Sequence, residues 1–370
     1  MVSILLPGSI LGTEDKMRRV YYNGKVVTLE GDDCTAFIVE DGQFAKVGNE
    51  ELLVDINYDE KIDLKGKTVL PAFFETHMHI LSLGMLLKDI NHNDCDSIQN
   101  LIDMSRKYIE DNKVPAGKWV RGRGWNHDKF KDEPRFITRY DLDKITTEHP
   151  LCFVRTCGHV IVTNSKGLEL IGMSESAPEI EGGQIDLDEN GRPLGIFRER
   201  ARACILDAIP EKETEEIKDL ILLAQEEALA HGIVEIHSDD FKDVPTNYQK
   251  VIQAYRELIE EGKLKIRVYE QCNLPAVEKI RDFFDHGYHT GWNMGNGLFT
   301  LGPLKLLSDG ALGARTAYLN EPYSDAPNQR GILQFETEDL KSMVKMCHEA
   351  GMQVAIHAIG DGAVDEVMNS

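Results

Sequence analysis

Two histidines, His77 and His79, stand two residues apart in the run TVLPAFFETHMHI. On a strand, residues i and i+2 leave the same face, so both imidazoles can reach one ion at the ~2.0 to 2.1 Å of a nitrogen–zinc bond while Met78 points away. Alone, the pair reads two ways: as a metal-binding couple, or as two histidines hydrogen-bonded at a strand end. Its place at the carboxyl end of an apolar strand favours the first, because α/β barrels build their sites there.

Lys305, between Leu304 and Leu306, faces opposite to both neighbours on a strand of period two. A barrel interior would strip it of water, and desolvation weakens an ammonium's hold on its proton and frees the amine to react with carbon dioxide. The bland alternative is a lysine reaching solvent from a strand end. His357 closes MQVAI just before Gly360-Asp361-Gly362, where a lone histidine is more often merely hydrogen-bonded, and His237 ends IVEIHS, a tempting extra ligand that reads rather as a pocket wall or as support for ligands. Asp239 and Asp240 read as caps of the helix that follows.

The loop Ser308 to Thr316 has neither G-x-G-x-x-G nor a P-loop lysine, so it is not read as a nucleotide cradle. It could present Asp309 and Arg315 to a substrate, or Arg315 could pair with a nearby acid. Trp125, Asn126, Asp128 and His159 could line a small-molecule pocket, with a subdomain core as the other destination for Trp125.

The elements that would position these groups follow from periodicity. Residues 18–48 read as short strands with turns at Asn23-Gly24 and Asp41-Gly42, a small β module placed in residues 1–66. TVLPAFFETHMHI is too short for a comfortable helix and reads as a buried parallel strand. Later segments alternate helix, glycine and apolar strand, the pattern of βα units. The barrel is therefore placed in residues 67–370, with an insertion or elaborated loop at about 85–210 that breaks the rhythm.

The chain of 370 residues is 42% hydrophobic and 28% charged, which suits a soluble globule with a sizeable core. With 41 Lys and Arg against 63 Asp and Glu, the net charge of −22 repels nucleic acid and anionic membranes. Seven scattered cysteines without a C-x-x-C pair suggest reduced thiols in a cytoplasm. The opening MVSILLPGSILG lacks a basic n-region and is interrupted by Pro7, so it reads as neither signal peptide nor anchor.

TVLPAFFETHMH resembles the strand that opens the barrel of the amidohydrolase superfamily, usually close to V-x-P-G-F-x-D-x-H-x-H, with departures at Ala72 and Glu75. LGPLKLLSDGALGARTAYLNEPYSD and GMQVAIHAIGDGAVDEV are similar to its amidohydrolase 3 branch, which includes N-substituted formamide deformylase-like proteins; GWNHDKF and RTCGHVIVTNSKGLEL resemble further blocks. The resemblance implies an α/β fold, a (β/α)8 TIM-like metal-dependent hydrolase barrel with a small N-terminal β-sandwich module. It also implies one or two divalent ions, zinc first, on His77, His79, carboxylated Lys305 and His357.

In that scheme Lys305 lies on strand four and His357 on strand five, and the chain stops thirteen residues later. The family's strand-six histidine and strand-eight general-base aspartate then have no counterpart. The barrel is expected to be incomplete: a fragment, or a chain whose missing strands come from a partner, with an open sheet edge that favours homo-oligomers. The expected activity is hydrolysis of a non-peptide carbon–nitrogen bond in a small amide or cyclic amide. Competing readings are a non-catalytic binding or regulatory protein and another chemistry on the same barrel.

Overall fold

In a computed structural model, which describes residues 17–241 and 247–370, the chain divides into two compact units, one of residues 1–81 and 214–370 and the other of Ser82–Glu213. The segment MVSILLPGSILG lies outside the described residues. Among the described residues no helix is long and apolar enough to cross a membrane.

The first unit opens with the β module. Arg18–Tyr22 pairs antiparallel with Ala36–Glu40 and parallel with Glu60–Asp63, and Gln43–Gly48 completes the sheet through a hairpin. Asp41 and Gly42 at its tip have φ of 52° and 77°; a two-residue hairpin turn of type I′ requires left-handed backbone at both positions, which is why Asp-Gly stands there. Tyr21 stacks on Phe37 at 4.4 Å between centroids, inside a small core with Val26, Val39, Leu64 and Val69.

Beyond it, five strands run parallel in chain order among the described residues: Phe73–Met78, Ile233–Ser238, Arg267–Asn273, Phe299–Leu307 and Val354–His357. Helices Thr214–Ala230, Tyr248–Glu260 and Thr337–Glu349 precede the second, third and fifth strands, and a glycine at positive φ follows each (Gly232, Gly262, Gly351). Glycine ends such helices because it enters the left-handed region without a Cβ penalty.

One expectation fails here. Phe73–Met78 is not a buried strand: Phe73 is 49% and Phe74 58% exposed. It pairs on one side only among the described residues, so its apolar side chains lack the cover that Arg267–Asn273 and Phe299–Leu307 receive from neighbours on both sides.

The stretch read as an insertion or elaborated loop lies within the second compact unit, Ser82–Glu213. It has its own six-stranded sheet, in the order Gly183–Leu187, Pro193–Glu199, Val160–Val162, Leu151–Arg155, Val120–Trp125 and Ile90–Asn91. Leu101, Trp125, Ile137 and Phe153 form part of its core.

Candidate active site

Register partners in a parallel pair send their side chains to the same side of the sheet. Lys305 is paired with Asn273 on one side and Ala355 on the other, and Leu307 with His357. His357, two residues beyond Ala355, therefore shares the face of Lys305 and Asn273. His237 is the partner of Tyr269, their rings 4.9 Å apart, and Gln271 of the same strand comes within 3.4 Å of His77 Nδ1. One sheet face, at the carboxyl ends of the strands, thus collects His77, His237, Gln271, Asn273, Lys305 and His357.

The rings of His77 and His79 lie 5.7 Å apart and nearly perpendicular. Burial holds the proton affinity of His77 below the ordinary imidazole value, and the Lys305 charge and the His79 ring add to the effect. The neutral, ligating form is thereby favoured. His79 Nδ1 is 2.8 Å from the carbonyl oxygen of Asp239. A carbonyl can only accept, so the hydrogen sits on Nδ1 and the lone pair on Nε2. In His357 the roles are reversed, since Nε2 lies 3.1 Å from the Gly310 carbonyl and the lone pair falls on Nδ1. Lys305 is only 8% exposed, and among the described residues its amine makes neither a hydrogen bond nor an ion pair.

Donor type and face suit a divalent ion. Among the described residues, however, no three His, Cys, Asp or Glu side chains are gathered closely enough to hold one by themselves. A set of these imidazoles needs a further donor, and Lys305 is a polar group on that face that makes no hydrogen bond or ion pair among the described residues.

Several residues picked out in the sequence are engaged elsewhere. Asp309 is buried, accepts backbone N–H bonds from Tyr318, Ile359 and Gly360 at 2.8–3.0 Å and lies 3.7 Å from His357 Nε2, so its oxygens order the loops around the fourth and fifth strands beside that ring. Arg315 forms a two-pronged pair with Asp325 at 2.6 and 3.1 Å, the ion-pair arrangement that the sequence also left open to it. Trp125 is fully buried, edge-on to Phe136, with its indole N–H on the Phe153 carbonyl; the ring is spent on the core of the second unit, not on a pocket wall. His159, also in the second unit, is exposed and pairs with Glu199 at 2.9 Å. Asp239 and Asp240 do not cap the helix after them, whose cap is Asn247.

Sequence reasoning passed over Gln271, Asn273 and Glu270. Their signal was the cluster of polar residues at the end of KLKIRVYEQCN, in a strand that is otherwise apolar or basic.

A family profile described as Amidohydrolase family matches residues 60–370. The protein YtcJ of Bacillus subtilis (strain 168) is 30% identical over 363 residues, covering 96% of this chain and 66% of that protein. N-substituted formamide deformylase of Arthrobacter pascens is 23% identical over 368 residues, covering 94% of this chain and 64% of that enzyme. The chain thus spans just under two thirds of the length of these curated relatives. Among solved structures, an uncharacterized metal-dependent hydrolase from Pyrococcus horikoshii OT3 superposes with a TM-score of 0.75 at 31% identity, covering 95% of this chain and 67% of that one. Another, from Pyrococcus furiosus, gives 0.76 at 30% identity, covering 95% and 69%.

Proposed function

The chain belongs to the amidohydrolase family, and from that premise we propose that the protein hydrolyses a carbon–nitrogen bond other than a peptide bond, in a small amide or cyclic amide. The ion it uses is divalent, zinc first, and its holders are His77, His79, Lys305 and His357. When bound, such an ion supplies the Lewis acidity that polarises a carbonyl.

The observation that carries this reading is Lys305, nearly buried and, among the described residues, in no ion pair, on the face that bears His77 and His357. Addition of its neutral amine to carbon dioxide forms one N–C bond and releases one proton. The product is a carbamate, an oxygen donor where the imidazoles need one. The Asp239 and Gly310 carbonyls turn His79 and His357 so that each offers one lone pair. Gln271 sits against His77, and His237 with Tyr269 closes the same face.

A small amide fits the rest of the reading better than a macromolecule, since a net charge of −22 disfavours polyanions. A cytoplasmic setting is the companion expectation, with all seven cysteines outside any disulfide. The alternative reading is a non-catalytic binding or regulatory protein that keeps part of the metal site but does not turn over.

Metal analysis of the purified chain, with turnover of a panel of N-substituted formamides and cyclic amides in oxygen-18 water, separates the two. The hydrolase reading expects bound metal and label in the product; metal without turnover supports the binding reading. A protein that takes up no divalent ion sinks the site.

A further inference from the structure

We propose that Ser238, Asp240 and Glu270 form a frame that fixes the pose of His79, with Glu270 as the positioning residue at its base. The proposal rests on the reading of His79 as a ligand and adds the residues that hold it there.

The chain leaving the first strand is gripped at three consecutive residues by three consecutive residues of the second strand's exit. Asp239 takes His79 Nδ1 through its carbonyl at 2.8 Å, Ser238 Oγ accepts the Ile80 N–H at 2.9 Å, and Asp240 Oδ1 accepts the Leu81 N–H at 3.0 Å. The grip is mutual, because the Asp239 N–H donates to the Met78 carbonyl. Ile80 and Leu81 open the helix Ile80–Lys88 and are fully buried. The first N–H groups of a helix have no partner within it, and here water cannot reach them. Ser238 and Asp240 therefore act as its cap, supplied from another strand, and the cap's position decides where the His79 ring stands.

Glu270 holds the cap. Fully buried on the third strand, it accepts the Asp240 N–H through Oε1 at 2.8 Å, and Tyr255 reaches Asp240 Oδ2 at 3.4 Å. Its Oε2 is buried and has no hydrogen-bond partner among the described residues, nor does any cation there pair with the side chain. Burial, then the neighbouring Asp240 carboxylate, pushes the Glu270 carboxyl well above the ordinary range. The frame uses Glu270 through the Oε1 atom that accepts the Asp240 N–H, and the amide oxygen of glutamine can supply the same acceptor.

The test uses the full chain as wild type, Glu270→Gln, Glu270→Met and Ser238→Ala, with two readouts: zinc affinity by calorimetry, and the His79 tautomer by long-range proton–nitrogen correlation on 15N-histidine protein. Glu270→Gln should bind zinc within about threefold of wild type and keep the hydrogen on Nδ1. Glu270→Met and Ser238→Ala, folded by circular dichroism, should lose about 10- to 100-fold in affinity, the range for outer support of a ligand, and show a mixed His79 tautomer. Folded Glu270→Met with wild-type affinity and tautomer overturns the frame, as does Glu270→Gln behaving like Glu270→Met. Should Glu270→Met not fold, Ser238→Ala with wild-type affinity and tautomer overturns it equally. A wild type that binds no zinc refutes the metal site instead, and the tautomer comparison still decides on the frame.

Discussion

Asn273 and Lys305 are register partners across the third and fourth strands, so an amide and an amine leave the same side of the sheet at the same height. An amine buried beside an amide, with no ion pair among the described residues, is an expensive arrangement for stability alone. If carboxylation is its purpose, Lys305→Ala should lower metal content several-fold while leaving the circular dichroism spectrum unchanged. Protein prepared in 13C-bicarbonate should give a carbamate signal that the variant lacks. Full metal stoichiometry in Lys305→Ala would assign the lysine a structural role.

Trp125 makes a contrasting case. Its ring is wholly enclosed in the second unit and its N–H is satisfied by Phe153. Trp125→Ala should cost about 3–5 kcal/mol of stability, the usual range for emptying a large aromatic site, and Trp125→Phe clearly less. Urea titration measures both. A KM effect in Trp125→Phe without loss of stability would return the ring to the substrate.

What could be read ahead of the structure was local. Gly232, Gly262 and Gly351 mark helix ends because a left-handed residue is needed there, and Asp41-Gly42 marks its hairpin for the same reason. The capping role of Asp240 was legible in kind but not in address: capping rules assume the next helix, whereas the N–H it accepts belongs to Leu81, 159 residues earlier. Asp309 likewise meets Ile359 and Gly360 some 50 residues on, and Glu270 belongs to no motif. Partners brought together by folding leave no spacing in the sequence to read.

The first strand carries its own prediction. Phe73 and Phe74 are about half exposed on a strand with one unpaired side among the described residues, and such an edge invites pairing with another chain. Sedimentation at micromolar concentrations should show self-association that Phe74→Lys reduces, since a charge on an edge strand blocks further pairing. Equal association in both proteins would remove this edge from consideration.

The pH dependence of stability should report on His92. It is fully buried in the second unit, and desolvation pulls its proton affinity down from the ordinary 6.5 to about 3. Ser105 gives its own hydrogen to the Leu101 carbonyl, so it accepts from His92 Nε2–H, and Nδ1 is left as a buried lone pair. Protonating that nitrogen in place would create an unsolvated cation. The folded pKa is the lower one, so this contribution to stability is complete above about pH 6.5 and is lost as the pH falls. Between roughly 6 and 3 the unfolded chain binds a proton that the folded chain refuses, which costs up to about 1.4 kcal/mol per pH unit. His92→Gln keeps a donor for Ser105 and does not titrate. Urea unfolding across pH 7 to 4 should therefore show a shallower loss of stability in the variant than in wild type, and parallel curves would mean that His92 does not resist protonation in the folded state.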